Sequence, residues 1–147
     1  MMKDEGPWLL EWVAYHRLIG FDNICVYTND CSDGTDNILR RLEALGIVRH
    51  FENRVPEEKK PQPNALRLAT QNPVVTDTDW LLVLVADEFV AIKPGNGHVD
   101  DLLDHCPTGL DAIMMTWRIF GSSGLKDWDN GLVTQAFTRA APDGFRK

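Results

Sequence analysis

The feature that most constrains this chain is the run WLLVLVA at residues 80–86, seven apolar residues with no polar interruption. A strand with one face in water alternates apolar and polar side chains. A continuous run instead suits a strand covered on both faces, as in the middle of a parallel sheet. Parallel strands need crossover connections, usually helices, so the rest of the sequence has to supply them.

It does. Over residues 8–19 the apolar residues Leu9, Trp12, Val13 and Ile19 recur at helical spacing after Pro7, which suits a first helical turn. Residues 23–28 (NICVYT) read as a short strand that runs into the polar loop NDCSDGT at 29–35. A second helix follows, with Ser32 or Asp33 available as N-cap, Ile38, Leu39, Leu42 and Leu45 on one face, and Gly46 placed to stop it. Residues 47–51 form a weaker strand, 57–63 a loop and 63–71 a helix. After the apolar run come a short helix at 99–106, an apolar strand at 110–117 (LDAIMMTW) and a polar loop at 121–131 with two aspartates. The alternation predicts an α/β fold, a mostly parallel sheet flanked by helices with right-handed crossovers, as one domain over residues 1–147.

Charge and cysteine content remove several classes of function. The formal net charge of −7 argues against nucleic acid as a partner. Cys25, Cys31 and Cys106 are widely spaced and form no C-x-x-C pair, which fits a reduced, cytoplasmic compartment and disfavours structural zinc. No run approaches the ~18 apolar residues of a membrane span, so no transmembrane segment is expected.

In an open α/β sheet, ligands collect at the carboxyl ends of the strands, and three clusters deserve a search there. The loop after residue 28 offers Asn29, Asp30, Ser32 and Asp33, which can accept hydrogen bonds from a base or ribose; the alternative is an ordinary capped turn. Asp87 and Glu88 follow the apolar run directly, where carboxylates can hold a hard cation against a diphosphate; the alternative is a strand that exits into solvent. Lys3, Asp4 and Glu5 precede the first helix, whose N-terminus suits phosphate; a solvated terminus is the alternative. His16 and His50 read as structural. The five tryptophans read mainly as core, with Trp128 between Asp127 and Asp129 placed to line an acceptor pocket.

Lys3-Asp4-Glu5-Gly6-Pro7, Leu10-Glu11-Trp12, Tyr15-His16, Asn29-Asp30, Ser32-Asp33-Gly34-Thr35, Asp87-Glu88-Phe89, Trp117-Arg118 and Phe120-Gly121-Ser122 occur in an order that resembles the family 2-like glycosyltransferases of the bacterial branch. The resemblance implies a Rossmann-like GT-A fold that binds a nucleotide-diphosphate sugar, with a divalent metal, Mn or Mg, bridging the phosphates. It implies that Lys3, Asp4 and Glu5 belong to the loop after a first strand, that Thr28, Asn29 and Asp30 lie near the nucleobase with Asp33 in the same loop, and that Asp87 ends a D-x-D metal motif, next to Glu88. Similar enzymes transfer the sugar to a glycan or lipid-linked acceptor, whose hydroxyl a carboxylate deprotonates, which makes Asp127 and Asp129 the candidate bases. The D-x-D position reads Val85-Ala86-Asp87, so metal binding is expected to be weakened, and a catalytically inactive nucleotide-sugar-binding domain is the alternative function. By the same resemblance a buried strand precedes Lys3 and an acceptor half follows Lys147, so the chain is expected to be a fragment truncated at both ends. A defect is expected where that first strand would lie between residues 23–28 and 80–86. The loops carrying Asn29, Asp30, Asp33 and Asp87 are expected to line one cleft.

Overall fold

Residues 1–127, 130–142 and 145 are described by the computed structural model. The element order is α1 (Gly6–Leu18), β1 (Cys25–Thr28), α2 (Thr35–Ala44), β2 (Arg49–Glu52), α3 (Pro61–Ala69), α4 (Pro73–Thr76), α5 (Val99–His105) and α6 (Val133–Ala136). β1 and β2 pair in parallel with Cys25 opposite Arg49 and Thr28 opposite Glu52, and α2 is the crossover between them.

The core lies where α1 and α2 cover this pair. Leu9, Trp12 and Val13 of α1, Val26 of β1, Leu39 of α2 and Val48 before β2 pack together with Ile24, Met2 and Ala86. Leu9 and Leu39 are fully buried, each contributing about 2–3 kcal/mol by the transfer scale. The helix signals in the sequence explain the boundaries well. Pro7 occupies the first turn of α1, and Gly46, at φ 71°, takes the left-handed conformation just beyond the end of α2. The N-cap of α2 is Gly34 rather than Ser32 or Asp33, although Asp33 Oδ1 still accepts from the N–H and hydroxyl of Thr35, the first residue of the helix.

Two expected strands do not form. Residues 80–86 belong to no sheet and run into a turn at Ala86: Leu84 and Ala86 face the core, while Leu81, Val83 and Val85 are 61%, 54% and 36% exposed. The run is therefore covered on one side, not two. A strand requires a ladder partner for its backbone, and apolar side chains alone do not supply one. β1 is paired with β2 on one edge; on the other, Met2 makes a single parallel bridge to Thr28, and its N–H donates to the Tyr27 carbonyl at 2.9 Å. Among the described residues, one residue thus meets this second edge of β1. Residues 110–117 likewise stay outside the sheet, with Met114 and Trp117 almost fully exposed. Among the described residues the sheet has two strands, in place of the larger parallel sheet expected. The tryptophans divide accordingly, Trp12 being buried while Trp80 and Trp117 face solvent.

Candidate functional site

Two polar loops meet at the C-terminal end of β1. The first, residues 3–6, leads into α1; the second, residues 29–34, leads into α2. One carboxylate oxygen of Asp4 accepts from the Ser32 N–H at 2.6 Å, the Ser32 hydroxyl at 3.2 Å and the Asp33 N–H at 3.3 Å. Asp33 reciprocates. Its Oδ2 accepts from the Gly6 N–H at 2.9 Å, and its Oδ1 from the Thr35 N–H at 2.9 Å and the Thr35 hydroxyl at 2.6 Å. The Thr35 hydroxyl oxygen in turn accepts from the Glu5 N–H at 2.8 Å, and Thr35 is completely buried. The Glu5 carboxylate accepts from the Trp8 indole N–H.

The electrostatic reason for this lock is visible in the backbone. Gly6 and Thr35 are the first residues of α1 and α2, so the N-termini of both helices converge on the Asp33 carboxylate. Unsatisfied N–H groups and the positive ends of two helix dipoles favour an anion there. The Thr35 hydroxyl hydrogen bond, more than any other contact, holds the Asp33 carboxyl below the usual carboxylate range. Gly6 is glycine for space: a Cβ there would lie 2.9 Å from Asp33 Oδ2. Asp4 and Asp30 sit at φ 56° and 48°, the left-handed region that short polar side chains tolerate best.

Next to this lock, Thr28 and Asn29 are buried. The Thr28 hydroxyl and His50 Nε2 are 2.7 Å apart, and burial lowers the His50 pKa while nearby Glu43 opposes it. Asn29 donates to Asp30 Oδ2 at 3.2 Å, while its own Oδ1 is buried without a hydrogen-bond partner. Asp30 and Lys3 are exposed. Asn53 ties β2 to this edge by donating to the Thr28 carbonyl at 2.7 Å.

Asp87 lies at the tip of a turn anchored on α1. The Trp12 indole donates to the Glu88 carbonyl at 2.9 Å, the Tyr15 hydroxyl to the Val90 carbonyl at 2.8 Å, and Phe89 packs against the rings of Tyr15 and His16. The Glu88 carboxylate accepts from the Val85 N–H at 3.1 Å, so it closes its own turn, while Asp87 is exposed. Ala86, beside Asp87, shares the core cluster with Met2, beside Lys3. Among the described residues, no hydrogen bond or ion pair joins Asp87 to Asn29, Asp30 or Asp33, so the lock unites the Lys3–Glu5 and Asn29–Asp33 clusters and leaves Asp87 and Glu88 as neighbours through the core. Asp127 is exposed and has no such link to them either; Asp129, with Trp128, lies outside the described residues.

His16 is structural in the sense expected. It is buried at 1% exposure among Trp12, Tyr15, Phe21 and Phe89, its Nδ1 lies 2.8 Å from the Trp12 carbonyl, and its Nε2 has no partner. Burial pushes its pKa down, only partly offset by the Trp12 carbonyl.

A model of glycosyltransferase family 92 matches residues 2–109, nearly three quarters of the chain and all of the elements that build the lock. The chain belongs to glycosyltransferase family 92. Among curated proteins it is similar to a family 92 protein of Ricinus communis, 26% identical over 142 residues, which cover 94% of this chain and 25% of that protein. It is also similar to a family 92 protein of Oryza sativa subsp. japonica, 23% identical over 149 residues, which cover 97% of this chain and 24% of that protein. The chain spans about a quarter of the length of these relatives. No solved structure matches it.

The glycosyltransferase resemblance therefore stands at its coarser level, with family 92 and plant relatives in place of the family 2-like group and its bacterial branch. Among the described residues no three His, Cys, Asp or Glu side chains converge, and the Glu88 carboxylate is engaged by the Val85 N–H. No helix among them is long and apolar enough to cross a membrane.

Two residues that organise the site carry no sign of it in the sequence. Gly6 and Thr35 stand within the motifs, but their roles depend on contacts between loops 27–30 residues apart in sequence. Asn64 carried a readable signal: an amide on the inward face of an amphipathic helix. It is 3% exposed and donates to Asn53 Oδ1 at 2.7 Å.

Proposed function

We propose that this chain forms the nucleotide-sugar-binding part of a glycosyltransferase with a GT-A type of fold, whose reaction moves a sugar from a nucleotide-diphosphate donor to a glycan or lipid-linked acceptor. The observation that carries the reading is the family 92 match across the lock at the end of β1. Open α/β sheets bind ligands at this edge, and the buried Asn29 Oδ1 offers an acceptor that the protein itself leaves unfilled.

The residues divide the work by what they are free to do. Asp4, Asp33 and Glu5 hold the two loops together, so their part in donor binding is to fix the shape of the edge. Thr28, Asn29 and Asp30 face the base and ribose, and Lys3 supplies a positive charge toward the phosphates. Asp87 is the carboxylate left to meet a Mn or Mg ion, since Glu88 is engaged by its own turn. Asp127 or Asp129 deprotonates the acceptor hydroxyl.

Val85 and the engaged Glu88 favour a second reading, a domain that binds the donor without transferring the sugar. A thermal-shift series with nucleoside diphosphates, with and without Mn, tests donor binding, because a ligand selective for the folded state raises its stability by mass action. Donor hydrolysis or transfer in the same samples separates enzyme from binding domain. Absence of any shift at millimolar nucleotide would refute both readings.

A further inference from the structure

A concavity of about 360 Å³ opens beside α3, lined by Glu58, Lys59, Lys60, Pro63, Asn64 and Arg67. Three cations and one acid converge there in a chain whose net charge is −7. Among the described residues the ion pairs are Arg40 with Asp36 and Arg54 with Glu52, so Lys59, Lys60 and Arg67 form none, and Glu58 is the one acid that lines the concavity with them. All three are exposed, so their charged ends are open to a ligand from solvent.

Arg67 is held in place. Its guanidinium donates to Asn64 Oδ1 at 3.2 Å; Asn64 Nδ2 donates to Asn53 Oδ1 at 2.7 Å and to the Arg54 carbonyl at 3.2 Å; and the Asn53 N–H donates to the Thr28 carbonyl at 2.7 Å. Asn53 and Asn64 are 2% and 3% exposed, so the amide part of the relay is buried while Arg67 stands exposed at its end. It ties the cation to the end of β1, the strand from which the Asn29–Asp33 loop departs. The backbone contributes little here, since Pro61 and Pro63 remove two of the N–H groups that a helix start would present. Recognition falls to side chains, and an oriented guanidinium with two flexible ammonium groups suits phosphate oxygens.

We propose that this concavity is an anion site that takes a phosphate or diphosphate group, held by Lys59, Lys60 and Arg67 without a metal. It goes beyond the donor reading, because the phosphate can belong to the nucleotide donor or to another phosphorylated ligand. Calorimetric titration of the 147-residue chain with pyrophosphate in EDTA at low salt tests it. Saturable binding that weakens with added salt is expected. The double variant Lys59→Gln, Lys60→Gln should lose about tenfold in affinity, and Arg67→Lys about two- to fivefold, with unchanged circular dichroism.

Competition with UDP and GDP identifies the source. Displacement of pyrophosphate by a nucleotide, whose own binding weakens equally in the double variant, assigns the site to the donor diphosphate. Simultaneous binding assigns it to a separate phosphate. A chain that binds pyrophosphate but neither nucleotide keeps this proposal and sinks the donor reading; nucleotide binding with no effect of the lysine substitutions does the reverse. No pyrophosphate binding at millimolar concentration, or equal binding by wild type and double variant, overturns the proposal.

Discussion

Gly6→Ala and Asp33→Ala together probe the lock between the two loops. An added Cβ at residue 6 would meet Asp33 Oδ2 at 2.9 Å, below any real carbon contact, so either the carboxylate moves or α1 shifts. The Asp33 side chain is short and pinned by the Thr35 N–H at 2.9 Å and the Thr35 hydroxyl at 2.6 Å, which resist that movement. Gly6→Ala should therefore weaken the Gly6 N–H bond and strain the others, costing about 1–2 kcal/mol. Asp33→Ala removes all three bonds and with them the anion at two helix starts, for a similar loss of about 1–2 kcal/mol. In the Asp33→Ala background the clash is gone, and alanine's better helix propensity makes Gly6→Ala neutral or mildly stabilising. Urea unfolding of the four proteins should thus give a coupling of about 1 kcal/mol or more. For a chain of this size that corresponds to a midpoint shift of about 2–4 °C per kcal/mol. Equal costs of Gly6→Ala in both backgrounds would refute the steric account of this glycine.

Four further outcomes follow from the contacts. His16 has a folded pKa below its unfolded value, so its contribution is complete above about pH 6.5 and stability falls as pH drops below that, by at most ~1.4 kcal/mol per unit for one group; His16→Phe should flatten this part of a stability–pH profile, and an unchanged slope would assign it elsewhere. Asn64→Leu strands Asn53 Oδ1 in a buried site and should cost about 2–4 kcal/mol in urea unfolding, whereas a loss under ~0.5 would mean that water replaces the amide. The Glu11 carboxylate clasps the start of α6 through the Val133 N–H at 2.6 Å and the Thr134 N–H at 3.0 Å, so Glu11→Ala should speed tryptic cleavage at Arg139 severalfold while α1 and α2 keep their protection in hydrogen exchange; unaltered cleavage would mean that the clasp holds nothing in place. Val85→Asp should leave stability within about 0.5 kcal/mol, since Val85 is 36% exposed, yet make nucleotide binding more responsive to Mn by calorimetry; no Mn response in the variant would remove Asp87 from metal binding.

What the sequence disclosed was mostly local. α1, α2, α3 and α5 are written in apolar periodicity, Pro7 and Gly46, and β1 in a short β-rich run, so each was legible within a few residues. The runs at 80–86 and 110–117 were misread because hydrophobicity reports a tendency to be buried, while strand formation depends on a partner backbone that no single segment contains. The polar clusters at residues 3–5 and 29–33 were legible as loops at one sheet edge. Their mutual capping was not, since a carboxylate that accepts from a distant loop looks in sequence like one free to bind a ligand. Asp33 shows the difference: its composition and position suit a ribose, and its three hydrogen bonds give it a structural task first.

The central claim is that a nucleotide-sugar donor binds at the C-terminal end of β1. Nitrogen–proton correlation spectra of the labelled chain, recorded during titration with UDP and GDP, test it most directly. The predicted result is saturable, site-limited movement of the amide signals of Lys3 to Gly6 and Asn29 to Thr35, together with the Asn29 side-chain amide, and its loss in Asn29→Ala. Movement confined to other residues, or none at millimolar nucleotide, would contradict the claim.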